Sequence, residues 1–317
     1  MNPDLLTAPL RGIIPPMITP LADHDTLDVA GLERLIEHIL AARPSGLFIL
    51  GTTGEGPSLS CKRKQELVDR VAEQLQGRVP LLVGVTDPSF VETLNLAEYA
   101  AEAGAQAVVW APPFYYPCSQ VDLLVSLERL VPRLPLPMFL YHIPRLTKVG
   151  FAPETVRRAM ELPGVVGLKD SSGEMAYFHR LRRATGHRPD FSLLVGPEEL
   201  LAEALLLGAH GGVSGGANLY PHLYVELYHA AQSRDLGRTL QLHEEVIRLA
   251  SRVYAFGDGP AAVIQGLKGA LALLGICSDT MAEPLRPLDD SRRQILWQHL
   301  EELGIPARYA PARSPRV

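Results

Sequence analysis

Lysine is the residue this 317-residue chain uses least among its charged groups. Only five of its 30 basic residues are lysines (Lys62, Lys64, Lys148, Lys169 and Lys268), against 25 arginines. Arginine is the default wherever charge alone is wanted, so a lysine in an apolar setting calls for a reason. Cysteine is scarce as well: Cys61, Cys118 and Cys277 are far apart, odd in number and form no CxxC. That excludes a disulfide framework, offers no metal ligand set, and fits a reduced cytoplasm. No apolar run approaches the ~18 residues needed to span a bilayer. Met1–Leu10 carries an early Asp4 and lacks the basic-then-apolar design of a signal peptide. A soluble, cytoplasmic protein with no membrane partner is expected. Excess positive charge is missing too, since the net charge is −5, which argues against nucleic acid as a partner.

What is present is apolar residue, 47% of the chain, enough for one large domain or two ordinary ones. Short β-type runs alternate with helix-period segments almost from end to end. Strands are expected near Gly12–Pro20, Gly46–Leu50, Pro80–Val85, Ala105–Trp110, Met138–Ile143, Val165–Asp170, Phe191–Gly196 and Gly211–Gly215. These runs are continuously apolar, as parallel strands covered on both faces should be. Leu32–Ala42, Lys62–Gln76, Glu92–Ala103, Gln120–Leu130, Pro153–Glu161 and Glu198–Leu207 read as intervening helices. Eight such units predict a (β/α)8 TIM barrel over residues 1–235, a fold that needs ~250 residues. From 236 to 317 the β-type runs stop. Gln241–Tyr254, Pro260–Leu274 and Ser291–Glu302 read as a C-terminal helical extension, and Ala307–Val317 as a loosely ordered tail.

In a barrel the chemistry belongs at the C-terminal ends of the strands. Strand two runs into Gly51-Thr52-Thr53-Gly54-Glu55, whose small residues let backbone N–H groups approach an anion. Strand six ends in Lys169, embedded in apolar neighbours. A free lysine has a pKa near ~10.4, and burial can lower it enough to make the amine a nucleophile toward a carbonyl. A lysine paired with a strand-end carboxylate such as Asp170 is an equally good reading of that spacing. Lys268, in the helical extension and away from the barrel mouth, reads as a side chain snorkelling along a helix face. Lys62 and Lys64 read as a solvated helix face. Tyr141 and Tyr115 can shuttle protons or simply pack, Thr52 and Thr53 can bind a carboxylate or cap a turn, and His142 and His210 read as structural.

The set GTTGE at 51–55, PFYYP at 113–117, YHIP at 141–144, GLKDSSG at 167–173 and GGVSGGAN at 211–218 resembles the dihydrodipicolinate synthase / N-acetylneuraminate lyase family in order and spacing over nearly the whole barrel. The resemblance implies a Schiff-base lyase of the aldolase type acting on pyruvate or another 2-keto acid. Lys169 would form the imine, Tyr141 would shuttle protons, and Thr52 would relay them with Tyr115, often across a subunit interface. Thr53 and nearby N–H groups would hold the α-carboxylate, and Gly51, Gly54, Ser171, Gly196, Glu198, Val213 and Ser214 would complete the substrate pocket. No metal or organic cofactor is required by that chemistry, and a homo-oligomer, dimer or tetramer, is implied.

Two departures bear on substrate. Synthases of the family carry an arginine five residues after the YNxP tyrosine, where this chain has Leu146, with Arg145 one place earlier and His142 in place of the asparagine. Glu198 and Glu199 sit where sialic-acid lyases bind a hydroxylated tail, although acids also open helices. The preferred substrate is therefore a 2-keto-3-deoxy sugar acid or a 4-hydroxy-2-keto acid. Condensation of pyruvate with aspartate semialdehyde and dehydration of a 2-keto-3-deoxy acid are the alternatives. From other classes, Gly212-Val213-Ser214-Gly215-Gly216 matches the serine-hydrolase elbow, with Asp235 and His243 following, and a non-catalytic keto-acid-binding relative is the third reading.

Overall fold

The computed structural model describes residues 8–257 and 259–306. The expected tail Ala307–Val317 and most of Met1–Leu10 lie outside the described residues. The chain enters on β1 (Gly12–Ile13), makes a small antiparallel hairpin of β2 (Leu21–Asp23) and β3 (Thr26–Leu27), and continues as β4 (Leu47–Ile49), β5 (Leu81–Gly84), β6 (Ala107–Trp110), β7 (Met138–His142), β8 (Val165–Asp170), β9 (Ser192–Val195) and β10 (Gly211–Gly212). Apart from the hairpin these strands form one parallel sheet, in the order β1-β10-β9-β8-β7-β6-β5-β4. The two ends meet through a parallel bridge between Pro16 and Phe48, where Met17 N–H donates to Phe48 O at 2.8 Å and Phe48 N–H to Pro15 O at 3.0 Å. The sheet is a closed (β/α)8 barrel, and each of the eight strands falls within its expected run. The hairpin was not anticipated.

The helices are α1 (Val29–Leu40), α2 (Cys61–Leu75), α3 (Phe90–Glu102), α4 (Gln120–Leu130), α5 (Pro144–Thr147), α6 (Pro153–Ala159), α7 (Met175–Thr185), α8 (Leu201–Leu206), α9 (Pro221–Gln232), α10 (Leu236–Val253), α11 (Ala262–Leu273) and α12 (Asp290–Glu302). Start signals explain several boundaries. Ser60 and Ser89 each accept an N–H bond in the first turn of α2 and α3, and Ser119 with Asp122 forms a reciprocal capping box on α4. The face of α2 is less wet than its charge run suggests. Lys62 is exposed, but Lys64 is buried with its Nζ 3.9 Å from Asp87, and Arg63 is buried against Asp25 and Glu66.

Period-two alternation divides the core in two. Ile14, Phe48, Leu82, Ala107, Val109, Phe139, Tyr141, Leu194 and Val213 pack together inside the barrel. Leu47, Ile49, Leu81, Val83, Val108, Met138, Leu140 and Leu168 face the helix layer. Lys169 lies in register between Tyr141 and Leu194, so its side chain belongs to the interior set. Asp170 follows it onto the opposite face, where its carboxylate accepts the Ser172 N–H at 2.9 Å. Strand alternation thus separates the two, and the Lys169–Asp170 pairing is not formed.

Barrel closure has one polar clasp. Asn218 is fully buried; its Oδ1 accepts Ile18 N–H at 3.0 Å and its Nδ2 donates to Pro16 O (2.9 Å) and Gly215 O (2.8 Å). Asn218→Ala leaves these buried backbone groups unpaired and should lower the free energy of unfolding by about 1–3 kcal/mol, measured by urea denaturation.

Candidate active site

Lys169 is the penultimate residue of β8, with its ammonium 4.2 Å from the centre of the Tyr141 ring and 5.2 Å from that of Phe48, so a cation sits against two aromatic faces in an apolar interior. Room for it depends on Gly196: a Cβ there would lie 2.1 Å from Ser171 Oγ and 3.3 Å from Lys169 Cε. Tyr141, on the neighbouring strand, is buried, and its hydroxyl lies 3.2 Å from Thr52 Oγ1. Burial alone would raise the Tyr141 pKa. The Lys169 charge, with hydrogen bonds from Thr52, Lys169 and Ser171, outweighs burial and holds the phenol below its ordinary value. A phenol so placed exchanges protons more readily than a free tyrosine.

Thr52 and Thr53 lie on the turn after β4. The turn closes on itself through Glu55 N–H to Thr52 O (3.0 Å) and Gly56 N–H to Gly51 O (3.2 Å). Among the described residues, the Thr52 and Thr53 N–H groups donate to no backbone acceptor.

Two cavities meet at the Tyr141–Thr52 pair. The polar one, about 330 Å³, is lined by Lys169, Thr52, Thr53, Ser171, Ser172, Gly196, Glu198, Glu199, Val213, Arg145 and Tyr254. The apolar one, about 300 Å³, is lined by Phe48, Gly51, Val109, Ala111, Phe114, Ile143, Leu146, Ile264 and Leu285. Both also touch Tyr141, Thr52, Ile143 and Ile264. Arg145 and Leu146, neighbours in the four-residue helix α5, thus serve different cavities.

The fold therefore brings Lys169, Tyr141, Thr52, Thr53, Ser171, Gly196, Glu198 and Val213 together, with Gly51 on the apolar side. Gly54 lines neither cavity; its carbonyl accepts Thr19 Oγ1 at 2.6 Å. Tyr115 is on an exposed loop, stacked edge-on against Tyr116, and lines neither cavity. Ser214 is fully buried with no hydrogen-bond partner for its Oγ, and the Asp235 side chain caps α10. With no base on Ser214 and its would-be acid capping a helix, the serine-hydrolase elbow is not assembled. His142 stacks on Tyr177 and accepts Phe151 N–H at 3.0 Å, and His210 accepts Leu193 N–H at 2.9 Å.

Glu198 is buried, and its carboxylate is taken up within the chain by the hydroxyls of Tyr224 and Tyr254 (the latter at 2.5 Å) and by Gly216 N–H at 3.0 Å. Tyr254 and the tyrosine-bearing α9 carried no signal in the sequence that tied them to Glu198. Lys268 is not a snorkelling side chain: it is fully buried and ion-paired with Glu55, the last residue of the GTTGE turn. The scarcity of lysine, applied to its apolar neighbours Gly266–Leu271, was the available signal. Phe48, under the Lys169 ammonium, was hidden in a uniformly apolar strand.

Residues 9–303 match the model of the dihydrodipicolinate synthetase family. A 4-hydroxy-tetrahydrodipicolinate synthase of Thermomicrobium roseum is 36% identical over 90% of this chain and 92% of its own. An uncharacterised DapA-like lyase of Halobacterium salinarum is 33% identical over 93% and 95%. Among solved structures, a dihydrodipicolinate synthase from Bacteroides thetaiotaomicron is 50% identical with a TM-score of 0.91, covering 93% of this chain and 99% of that one. An Escherichia coli prophage protein of the same family, in complex with pyruvate, is 28% identical with a TM-score of 0.89, covering 94% and 100%.

Burial pushes the Glu198 carboxyl up to about 7, against 4.5 for an ordinary glutamate, although its tyrosine and backbone donors favour the ionised form. Between those values the folded protein holds a proton that the unfolded chain has released. This stabilising contribution is fully present below 4.5 and is lost as the pH rises through about 7. Denaturant unfolding from about pH 5 to 8 should show the wild type losing stability relative to Glu198→Gln, whose side chain stays neutral. A difference independent of pH would mean that the carboxyl ionises normally.

Proposed function

The chain belongs to the dihydrodipicolinate synthetase family and is a lyase of its aldolase type, and we propose that it joins or splits pyruvate and an aldehyde through a Schiff base on Lys169. The observation that carries this reading is the Lys169 ammonium set 4.2 Å from the Tyr141 ring, with the Tyr141 hydroxyl on Thr52. Lys169 Nζ adds to the ketone carbon of pyruvate, water leaves, and the iminium so formed draws electrons from the adjacent carbon. Tyr141 takes a proton from that carbon to give the enamine, whose carbon attacks the aldehyde, and it then protonates the new alkoxide. Hydrolysis frees the product; cleavage is the same sequence reversed. Because the imine is the electron sink, neither a metal nor an organic cofactor enters.

Thr53 and the free N–H groups of the turn receive the α-carboxylate, with Gly51 and Gly54 shaping the turn and Ser171, Gly196, Glu198, Val213 and Ser214 forming or backing the wall around Lys169. Thr52 relays protons from Tyr141. Tyr115 is too exposed to serve the cavity of its own chain, so it is assigned to the site of a second copy in a homo-oligomer. The barrel is taken as 1–235 and the helical extension as 236–317, in a cytoplasmic protein with no nucleic-acid or membrane partner.

For the substrate, two observations favour a 4-hydroxy-2-keto acid over a polyhydroxylated sugar acid. Glu198 spends its lone pairs on Tyr224, Tyr254 and Gly216, and the second cavity is walled by Leu146, Ile143, Ile264 and Leu285. One observation favours the synthase alternative: Arg145 lines the Lys169 cavity, where it would meet the carboxylate of aspartate semialdehyde.

Borohydride reduction with pyruvate should trap an adduct on Lys169, mapped by peptide mass. No adduct, or an adduct persisting in Lys169→Arg, refutes the Schiff base. Tyr141→Phe should still trap pyruvate while turnover falls by about 10²–10⁴-fold. In a panel of aldehyde acceptors, apolar and short hydroxy-acid precursors should outrun sugar aldehydes, and reaction with aspartate semialdehyde alone would decide for the synthase.

A further inference from the structure

Lys268 is removed from water as completely as any of the described residues. On α11, its Nζ meets Glu55 Oε1 and donates to Thr280 O at 2.6 Å, and both members of the ion pair have no solvent-exposed side-chain surface. The other Glu55 oxygen accepts Ala282 N–H at 2.7 Å. One carboxylate therefore ties the turn after β4 to two separate points of the C-terminal segment. The Schiff-base steps do not use this pair, although Glu55 also borders the apolar cavity.

The turn needs such ties. Leu50 and Glu55, at its two ends, both hold left-handed backbone conformations, φ 58° and 55°, which cost a non-glycine residue energy and persist only when the surroundings impose them. Between these ends stand Thr52 and Thr53. Thr19 Oγ1 holds the Gly54 carbonyl from the barrel side, and Glu55 is held from the extension side. Stability is a poor reason for such a pair, because desolvating two charges offsets most of their attraction and apolar residues would fill the space as well. A pair that fixes where a strained turn lies has another use.

We propose that Lys268 and Glu55 are positioning residues that hold the 51–56 turn in its anion-receiving shape, so that this buried pair sets the affinity for the keto acid's carboxylate through the turn. The proposal rests on the Schiff-base reading above for its ligand, but not for its structural readout.

The test measures reductive trapping of Lys169 against pyruvate concentration, together with hydrogen exchange in peptides covering residues 50–56 and, as a control, 138–142. Glu55→Gln, Lys268→Met and the double variant should each raise the half-saturating pyruvate concentration about tenfold with the plateau unchanged, and the double variant should be no worse than the singles, as for two members of one unit. Exchange should accelerate in 50–56 and not in 138–142. If Lys268→Met does not fold, the isosteric Glu55→Gln carries the test. Variants that melt at lower temperature but keep the wild-type pyruvate dependence and the wild-type exchange in 50–56 would overturn the proposal and leave the pair a structural one. If the wild type traps no pyruvate, the Schiff-base reading falls and exchange alone decides: unchanged protection of 50–56 overturns the positioning role.

Discussion

A cation inside a barrel of Phe, Val and Leu is the constraint around which the rest of this molecule is arranged. Removing an ammonium from water costs far more than any one apolar contact returns, so its surroundings must supply compensating electrostatics. Here they are aromatic faces and a phenol: the Phe48 and Tyr141 rings lie beneath the Lys169 ammonium, and the Tyr141 pKa is drawn down by the same charge. Strand alternation keeps the neighbouring carboxylate from neutralising it, since Asp170 is turned to the helix layer.

Lys268, more deeply buried still, is treated in the opposite way. Lys268 is given a full counter-charge and a carbonyl, which quiet it. Burial lowers its pKa while Glu55 opposes that shift. The two lysines show that burial by itself does not make a nucleophile. Access decides, and Lys268 has no exposed surface while Lys169 opens on a cavity of about 330 Å³.

Most of the architecture could be read from the chain because parallel strands covered on both faces announce themselves as unbroken apolar runs, and all eight fell where those runs lie. The hairpin at Leu21–Leu27 was too short to have a pattern. At the site, Lys169 stood out because it breaks an apolar strand near its C-terminal end, and Tyr141 only through the YHIP motif of the family resemblance, since a strand-end tyrosine taken alone also reads as packing. Partnerships were not legible. Glu198 finds Tyr254 across 56 positions and Glu55 finds Lys268 across still more, and no local period connects residues that meet only when the extension folds over the barrel. The helix-face reading of Lys268 failed for that reason: snorkelling presumes water nearby, and α11 is covered by the segment that follows it.

Helix α5 has four residues, and two adjacent ones deliver a guanidinium to one chamber and a leucyl group to the other. Consecutive side chains on so tight a coil diverge by roughly 100°, so a single-residue insertion ahead of Arg145 would carry the guanidinium round toward the apolar chamber, and a deletion would carry the leucyl group toward the charged one. In this barrel the length of the loop ahead of α5, as well as the letters in it, sets which chamber each of these side chains lines.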